Sequence, residues 1–451
     1  MTRRLRLGSL ALALALAATP RVVHAEDAST AEVLERVRAL EDELALLRRK
    51  LEVKEEEDTT KASTAALVTA DKSGFQLQSP DKSSFKLRIR GYAHADSRTF
   101  LESRSTTARE TFALRRARLL FEGTLFENVD FRVMPDFADS SPTLQDAYVN
   151  LRYRPIAQVQ AGQFKAPFGL ERLQSATALT FIERGFPTQL APNRDLGVML
   201  HGDSHEGLIQ YQLAAMNGVT DGASATSDSD DSKDVVARAF AQPFLETPWT
   251  PLQGLGVGFA ASYGEQARAT TTYRTNGQDT FFRYATGVTE DGERLRLGPQ
   301  ATYYWGPFGS MFEWTKSDTH LLSPTLGRIE SDVRAWQVAA SWVLTGESAS
   351  FRGVTPRNPL RPSDGTWGAF EVAARFHRWQ IDDDVFAAGF ALVTASASRA
   401  DAWTLGLNWA LNPFVKLALN CERTEFEGGG AVLGTDRPDE DLVLTRFQLS
   451  Y

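Results

Sequence analysis

The sequence predicts an all-β protein, a sixteen-stranded antiparallel transmembrane β-barrel with an N-terminal α-helical coiled-coil segment. Three observations lead to this fold class. Residues 85–451 form short segments in which every second residue is apolar, the connections alternate between short turns and long loops, and the chain opens with a secretory leader. A soluble barrel of this size would have a lumen too wide for side chains to fill, so its interior would be wet, and its apolar exterior would face water. In a bilayer the apolar exterior faces lipid instead.

The first 25 residues predict a signal peptide, residues 1–25. Arg3, Arg4 and Arg6 precede an apolar run of Leu and Ala, and small residues lead to a cleavage site after Ala25. A membrane anchor is the alternative, but the run is shorter than the roughly 20 residues that span a bilayer. We therefore expect an exported protein.

Charge and cysteine content exclude other classes. The chain has 57 acidic and 49 basic residues, a net charge of −8, which argues against a nucleic-acid partner. One cysteine, Cys421, cannot form an internal disulfide, so there is no disulfide framework.

Residues 26–57 are predicted to form a periplasmic coiled-coil helix. Apolar residues recur at alternating spacings of four and three, the heptad pattern of a coiled-coil seam, at Val33, Val37, Leu40, Leu44, Leu47 and Leu51. A single amphipathic helix docked on the domain is the alternative. A seam this short is marginal alone and needs an oligomeric body to hold it together. Residues 58–84 are predicted to be a linker, and residues 85–451 the outer-membrane barrel.

The sixteen strands are predicted near residues 85–97, 110–126, 129–138, 143–154, 156–164, 195–202, 207–216, 234–244, 255–265, 294–306, 309–319, 328–344, 367–379, 401–411, 414–426 and 440–451. One connection breaks the alternation of short turns and long loops. The segment Thr345 to Thr366 falls where a short turn is expected, yet it has about twenty residues.

Strand parity separates a lipid face from a water face. Trp403, Leu405 and Leu407 form one apolar row, and Thr404 and Asn408 lie between them. Tryptophans at strand ends are expected to form an aromatic girdle, at Trp305, Trp342, Trp379 and Trp409. The chain ends on an alternating strand with a terminal aromatic residue, which resembles the assembly signal of bacterial outer-membrane barrels.

Three stretches resemble the phosphate-selective porin O/P family of Gram-negative outer membranes. They are Leu114-Arg115-Arg116-Ala117-Arg118 leading into Phe121-Glu122-Gly123; Gly162-Gln163-Phe164-Lys165-Ala166-Pro167-Phe168-Gly169-Leu170-Glu171 followed by Leu179 to Arg184; and Leu344 to Glu347 through Pro356-Arg357-Asn358-Pro359. The resemblance covers about residues 85 to 451 and leaves the heptad segment outside.

This resemblance implies a homotrimer of barrels in the outer membrane, in contact with lipid and lipopolysaccharide, with the N-terminal segment in the periplasm. It implies passive diffusion of small anions, of the phosphate or polyphosphate class, through each barrel. The loop from Lys165 to Arg194 would fold inward and narrow the channel, and the long turn from Thr345 to Thr366 would also fold into the barrel.

The family's selective members pass anions along arginines of the inner wall, which stay charged and offer paired donors to phosphate oxygens. Here parity turns four arginines of the strands inward, Arg116, Arg118, Arg132 and Arg152. The constricting loop would contribute Lys165, Arg172, Arg184 and Arg194, and the inward-folded turn Arg352 and Arg357.

Two features favour the alternative of a general, weakly selective porin for small hydrophilic solutes. Residues 111–195 contain ten basic and nine acidic residues, so the arginines could simply pair with inward acids. Two predicted outer loops are acidic, with Asp221, Asp228, Asp230, Asp231 and Asp234 in one and Asp382, Asp383 and Asp384 in the other. Such loops could bind calcium, but the spacing matches no EF-hand, and solvated loops are favoured.

Catalysis is not expected. Five histidines follow the leader, without a G-x-S-x-G elbow or an H-E-x-x-H helix. No catalytic residue, metal site or cofactor is predicted. A further alternative, a barrel-based structural tether or adhesin built on the coiled coil, also fits the heptad segment.

Overall fold

The computed structural model describes residues 30–71, 74–101, 109–138, 140–204, 207–228 and 231–451. The predicted signal peptide lies outside these ranges, as do His205 and Asp230. The chain divides into two compact units, residues 1–65 and residues 66–451.

The first unit is one helix, α1 (Thr30–Thr64), of 35 residues. It contains the predicted heptad and continues seven residues beyond the predicted end at residue 57. The six apolar seam residues are 45% to 62% exposed, so nothing within the described part of this unit covers the seam. No helix among the described residues is long and apolar enough to cross a membrane.

The second unit is a closed barrel of sixteen antiparallel strands, which confirms the predicted fold class. Its strands are β3 (Phe85–Phe100), β4 (Thr111–Leu125), β5 (Val129–Asp136), β6 (Thr143–Arg154), β7 (Ala157–Lys165), β8 (Arg194–Ser204), β9 (Ile209–Met216), β10 (Asp234–Ala241), β11 (Leu255–Ala269), β14 (Thr289–Trp305), β15 (Phe308–Ser323), β16 (Gly327–Val343), β17 (Ala369–Ile381), β18 (Ala397–Ala410), β19 (Val415–Gly428) and β20 (Glu440–Ser450). Each pairs with its sequence neighbour, and β20 pairs with β3 to close the barrel.

The structure differs from the predicted linker over residues 58–84. Helix α1 runs to Thr64, and a hairpin of β1 (Leu67–Asp71) and β2 (Gly74–Gln78) follows it. Strand β2 pairs with the first residues of β3, and β20 pairs with the rest of β3. The hairpin therefore continues the sheet beyond Ser450, the last residue of β20. Without it, the first residues of β3 would have unpaired backbone groups.

Antiparallel order divides the connections between two ends of the barrel. One end, the loop end, carries the long connections, residues 166–193, 217–233, 270–288 and 382–396. The other end, the turn end, carries short turns such as residues 306–307. The alternation has exceptions: residues 324–326 form a short loop at the loop end, and residues 242–254 and 344–368 form long connections at the turn end.

The two faces of the wall follow strand parity. Trp403 and Leu405 are exposed on the outside, and Thr404 and Asn408 are buried inside. The expected place of Trp379 in an outer girdle is wrong, because this side chain is fully buried. It lies in an aromatic cluster inside the loop end, with Tyr273 and Phe281 at ring-centroid distances of 4.8 and 5.0 Å.

Three connections fold into the lumen and carry short elements of their own. The inner loop (residues 166–193) contains α2 (Leu170–Leu173) and α3 (Pro187–Leu190). The strap loop (residues 270–288) contains the hairpin of β12 (Thr272–Arg274) and β13 (Thr280–Arg283). The inner turn (residues 344–368) is a long turn-end connection. Phe186 of the inner loop and Phe281 of the strap loop share the aromatic cluster, which locks the two loops together.

Candidate functional site: a basic cavity inside the barrel

The inner loop is fixed to the wall by buried hydrogen bonds. The carboxylate of Glu313 on β15 accepts the backbone N–H groups of Leu170 and Glu171 at 2.6 and 3.3 Å. On the adjoining wall, the N–H of Ile182 donates to the Asn420 side chain at 2.7 Å. Each bond satisfies a loop N–H that would otherwise be buried without a partner. The loop is therefore held against the wall at β15 and β19, in that half of the lumen.

The inner turn supports the same loop from the turn end. The Gln174 side chain donates to the carbonyl oxygen of Phe351 at 2.9 Å. Lys416 Nζ donates to the carbonyl oxygen of Leu179 at 2.9 Å. With that half of the lumen occupied, the open space lies along β4 to β8.

This open space is a cavity of about 710 Å³. Its lining includes nine basic side chains, eight arginines and one lysine, and three carboxylates. Seven of the ten predicted site residues line it, namely Arg116, Arg118, Arg132, Lys165, Arg172, Arg184 and Arg194. The near-neutral charge count of residues 111–195 therefore misses how strongly basic the enclosed space is.

The cavity lining also includes two arginines that the sequence analysis did not select as site residues. Arg115 has the opposite parity to Arg116, but the register of β3 and β4 shifts so that His94 pairs with Arg116 and Ala95 with Leu114. Arg115 is the extra residue of this bulge, and a bulge re-aims the side chain it carries. Arg274 belongs to the strap loop, and only the inward fold of that loop brings it here.

Some of these cations are neutralised by carboxylates. Arg115 pairs with Glu183 at 2.7 Å, and Arg118 with Asp136 at 2.6 Å. The two other pairs are Arg194 with Asp146 at 2.8 Å and Arg132 with Glu122 at 2.9 Å. The sequence alternative, in which inward arginines pair with inward acids, is therefore correct for part of the set.

The other five lining cations lack such a partner in the described part of the chain: Arg274 of the strap loop and four residues held by neutral groups. Lys165 Nζ donates to the carbonyl oxygens of Arg172 and Gln174 at 2.7 and 3.0 Å, at the C-terminal end of α2. Arg172 and Arg184 likewise donate to backbone carbonyls, and Arg116 lies 3.3 Å from His94 Nδ1. Carbonyl and imidazole groups are neutral, so these contacts place no carboxylate beside Arg116, Lys165, Arg172 or Arg184.

The inner-loop groups keep their charges at neutral pH. Burial lowers the pKa of Arg172 to about 9 and that of Arg184 to about 10, so both remain cations. Burial opposes ionisation of Glu183, but the guanidinium groups of Arg115 and Arg116 hold its pKa far below the usual range. The Glu183 carboxylate is thus ionised and fully engaged with its cations.

Three predicted residues lie apart from this cavity. Arg152 is 43% exposed and pairs with Asp130 at 2.8 Å, towards the turn end. Arg352 lines a small cavity of about 140 Å³ between the inner turn and the inner loop. Arg357 donates to the carbonyl oxygen of Gly346 at 2.8 Å within the inner turn.

A second cavity of about 410 Å³ continues towards the turn end. Arg132, Tyr148 and Gln160 line both cavities, so these three residues mark the junction between them. The second cavity is less basic, because Glu122 and Asp130 lie among its few cations. A continuous polar route thus runs along β4 to β8.

One of the two acidic loops is largely neutralised by pairing within the chain. Asp221 is buried and accepts from Arg296 at 2.8 Å and from the Tyr273 hydroxyl at 3.0 Å. Asp234 is buried beside Arg294 at 3.2 Å. Asp228 pairs with Lys233 at 2.7 Å, so at least three of the five acids of that loop are paired within the chain, whereas Asp382, Asp383 and Asp384 stay exposed in the other loop. Among the described residues, no cluster of histidine, cysteine and acidic side chains could hold a metal ion.

Comparison with known proteins is consistent with this architecture. The family model described as phosphate-selective porin O and P matches residues 85–451. Porin O of Pseudomonas aeruginosa is 22% identical over 422 residues, covering 86% of this chain and 94% of that protein.

Solved porin structures share the fold. OmpT of Vibrio cholerae superposes with a TM-score of 0.53 at 9% identity, covering 81% of this chain and 98% of that one. An anion-selective porin from Comamonas acidovorans superposes with a TM-score of 0.51 at 12% identity, covering 82% of this chain and all of that one.

Proposed function

The chain belongs to the phosphate-selective porin O and P family, and we propose that it is a passive channel for small anions of the phosphate class across the Gram-negative outer membrane. The family and the barrel fold indicate a channel rather than an enzyme. The observation that carries the proposal is the excess of nine cations over three carboxylates around the cavity.

Charge selection follows from the cations that have no carboxylate partner, four of which are held by neutral groups. Arg116, Lys165, Arg172 and Arg184 border one cavity, so their potentials add there and raise the local concentration of anions over cations. Their hydrogen bonds to backbone carbonyls hold the groups in place without cancelling the charge. An entering anion can therefore replace part of its hydration shell with these donors.

Passage also requires release. Arg118, Arg132 and Arg194 are each paired with a carboxylate, so their attraction for a passing anion is weakened. At the junction the anion meets Arg132 and then the less basic second cavity. Fast diffusion requires several sites that bind the anion with moderate affinity and no single site that binds it tightly.

The oligomeric part of the proposal is a homotrimer whose N-terminal helices form a periplasmic coiled coil after removal of residues 1–25. The exposed seam of α1 supports it, because six apolar side chains in heptad spacing need a cover that other copies of the helix would supply. The first residues of β3 lie at the turn end, and the hairpin of β1 and β2 lies there too. An N-terminal segment on the periplasmic side would agree with turn ends that face the periplasm.

The proposal is tested by phosphate competition in a planar bilayer. Chloride current through the purified full chain should fall with added phosphate and level off as the cavity fills, because phosphate carries more charge and more acceptor oxygens than chloride. Chloride current that is unaffected by phosphate would favour the general, weakly selective porin.

A further inference from the structure

The strap loop presents uncharged polar side chains to the basic cavity. Thr272 and Gln278 are both exposed and both line it. In the described part of the chain, neither side chain makes a hydrogen bond. Their donors and acceptors are therefore turned towards whatever occupies the cavity.

These groups are held in place. The side chain of Gln189 on the inner loop bonds both backbone groups of Arg274, accepting its N–H at 2.9 Å and donating to its oxygen at 2.6 Å. Farther along the strap loop, the Thr275 hydroxyl donates to Glu440 at 3.0 Å and the Asn276 side chain to Glu422 at 2.8 Å. The polar groups thus lie on a loop that is tied to the inner loop on one side and to the wall on the other.

A third uncharged group lies at the other end of the cavity. Gln160 on β7 is 9% exposed and lines both cavities at the junction. Its amide also lacks a hydrogen-bond partner within the described residues. A buried amide without a protein partner has its hydrogen-bonding capacity free for water or solute.

The cavity is large for a bare inorganic anion. Its volume of about 710 Å³ falls in the range of about 300–1,000 Å³ that holds drug-sized ligands. Inorganic phosphate would engage only the cations and leave the amides and the hydroxyl to water. An organic anion that carries hydroxyl groups would use both sets.

We propose that the solute class of this cavity is phosphorylated polyols, such as hexose phosphates. The phosphoryl group binds at Arg116, Lys165, Arg172 and Arg184, and the hydroxyl groups bind at Thr272, Gln278 and Gln160. This inference rests on the proposed function of the cavity as an anion passage. A site with free amides and hydroxyls favours a solute that satisfies them over one that does not.

The test compares glucose 6-phosphate, inorganic phosphate and glucose as competitors of chloride current. The full chain is placed in a planar bilayer at pH 8, where both phosphates are mainly dianions. We expect glucose 6-phosphate to halve the chloride current at a concentration about fivefold lower than phosphate, the effect of one net hydrogen bond. Glucose alone should have no effect at these concentrations.

Shape-conserving variants locate the effect. In the double variant Thr272→Val with Gln278→Met, the half-blocking concentrations of the two phosphates should converge. Matched changes at Thr69 and Gln380, which do not line the cavity, should keep the fivefold difference. The Gln160→Met variant gives an independent test if the double variant does not assemble.

The outcomes separate the two proposals. The polyol phosphate assignment would be overturned by equal block by phosphate and glucose 6-phosphate. It would also be overturned if the preference for glucose 6-phosphate survived in both the double variant and Gln160→Met. Either result would leave the anion passage intact. Absence of block by either phosphate would overturn both.

Discussion

Neutralising Arg116 should reduce anion selectivity by a predictable amount. A spherical cavity of 710 Å³ has a radius of about 5.5 Å, which sets the mean distance from a wall charge to a central ion. At that distance one unit charge contributes about 0.75 kcal/mol in a medium as polar as water. The substitution Arg116→Gln removes this attraction for chloride and the equal repulsion of potassium, about 1.5 kcal/mol in all. The ratio of chloride to potassium permeability should therefore fall about tenfold.

The assay is the reversal potential of the variant in a planar bilayer across a KCl gradient. The control is the double variant Arg118→Gln with Asp136→Asn, which removes a pair joined at 2.6 Å and leaves the net charge unchanged. Its permeability ratio should stay within about twofold of the parent, because a neutral pair has little field at the centre of the cavity. Equal losses in the two variants, or no loss in Arg116→Gln, would refute the assignment of selectivity to unpaired charge.

Three further predictions concern the supports of the cavity. Glu313→Met leaves the buried N–H groups of Leu170 and Glu171 without an acceptor, and each lost hydrogen bond costs about 1–3 kcal/mol of stability. The inner loop should therefore loosen, and single-channel recordings should show a larger and noisier conductance. A conductance identical to that of the parent would contradict the anchoring role. Trp379→Ala removes a side chain from the centre of the aromatic cluster and should destabilise the barrel by about 3–5 kcal/mol. The temperature of the heat-induced mobility shift in SDS gels should therefore fall. The control Trp403→Ala, on the outer face, should lower that temperature less. Leu44→Asp at the heptad seam should weaken self-association in chemical crosslinking while conductance per barrel is retained, and unchanged crosslinking would argue against the coiled coil.

The strands and their number could be predicted from sequence because they depend on local pattern. Alternation of apolar and polar residues is a property of each strand, and the water and lipid faces of β18 follow from it directly. The hairpin of β1 and β2 was missed since each of its strands has only five residues and turn residues follow them, which is also typical of a linker.

Site residues were predictable only where parity or loop position sufficed. Arg116 and Arg118 were found by parity, but the bulge that turns Arg115 inward depends on pairing with β3 and has no signal in β4 alone. Arg274 lies more than 80 residues from the inner loop, and its place depends on a tertiary contact with Gln189. No local pattern could have found it.

Charge counts failed for a similar physical reason. The acids from Asp221 to Asp234 predicted a repulsive mouth, yet Asp221 and Asp234 are neutralised by Arg296 and Arg294 on β14, far away in sequence. Trp379 was placed outside because it ends a strand, but its side chain points inward at the level where the strap loop covers the lumen. Net charge and position along a strand carry no information on such partners.

The most direct test of the account is the reversal potential of the unmodified protein across a KCl gradient, recorded before and after phosphate is added. Nine cations against three carboxylates predict a strongly chloride-selective potential and a current that phosphate reduces. A potential near zero, or one that favours potassium, would contradict the account and leave a general porin with the same barrel.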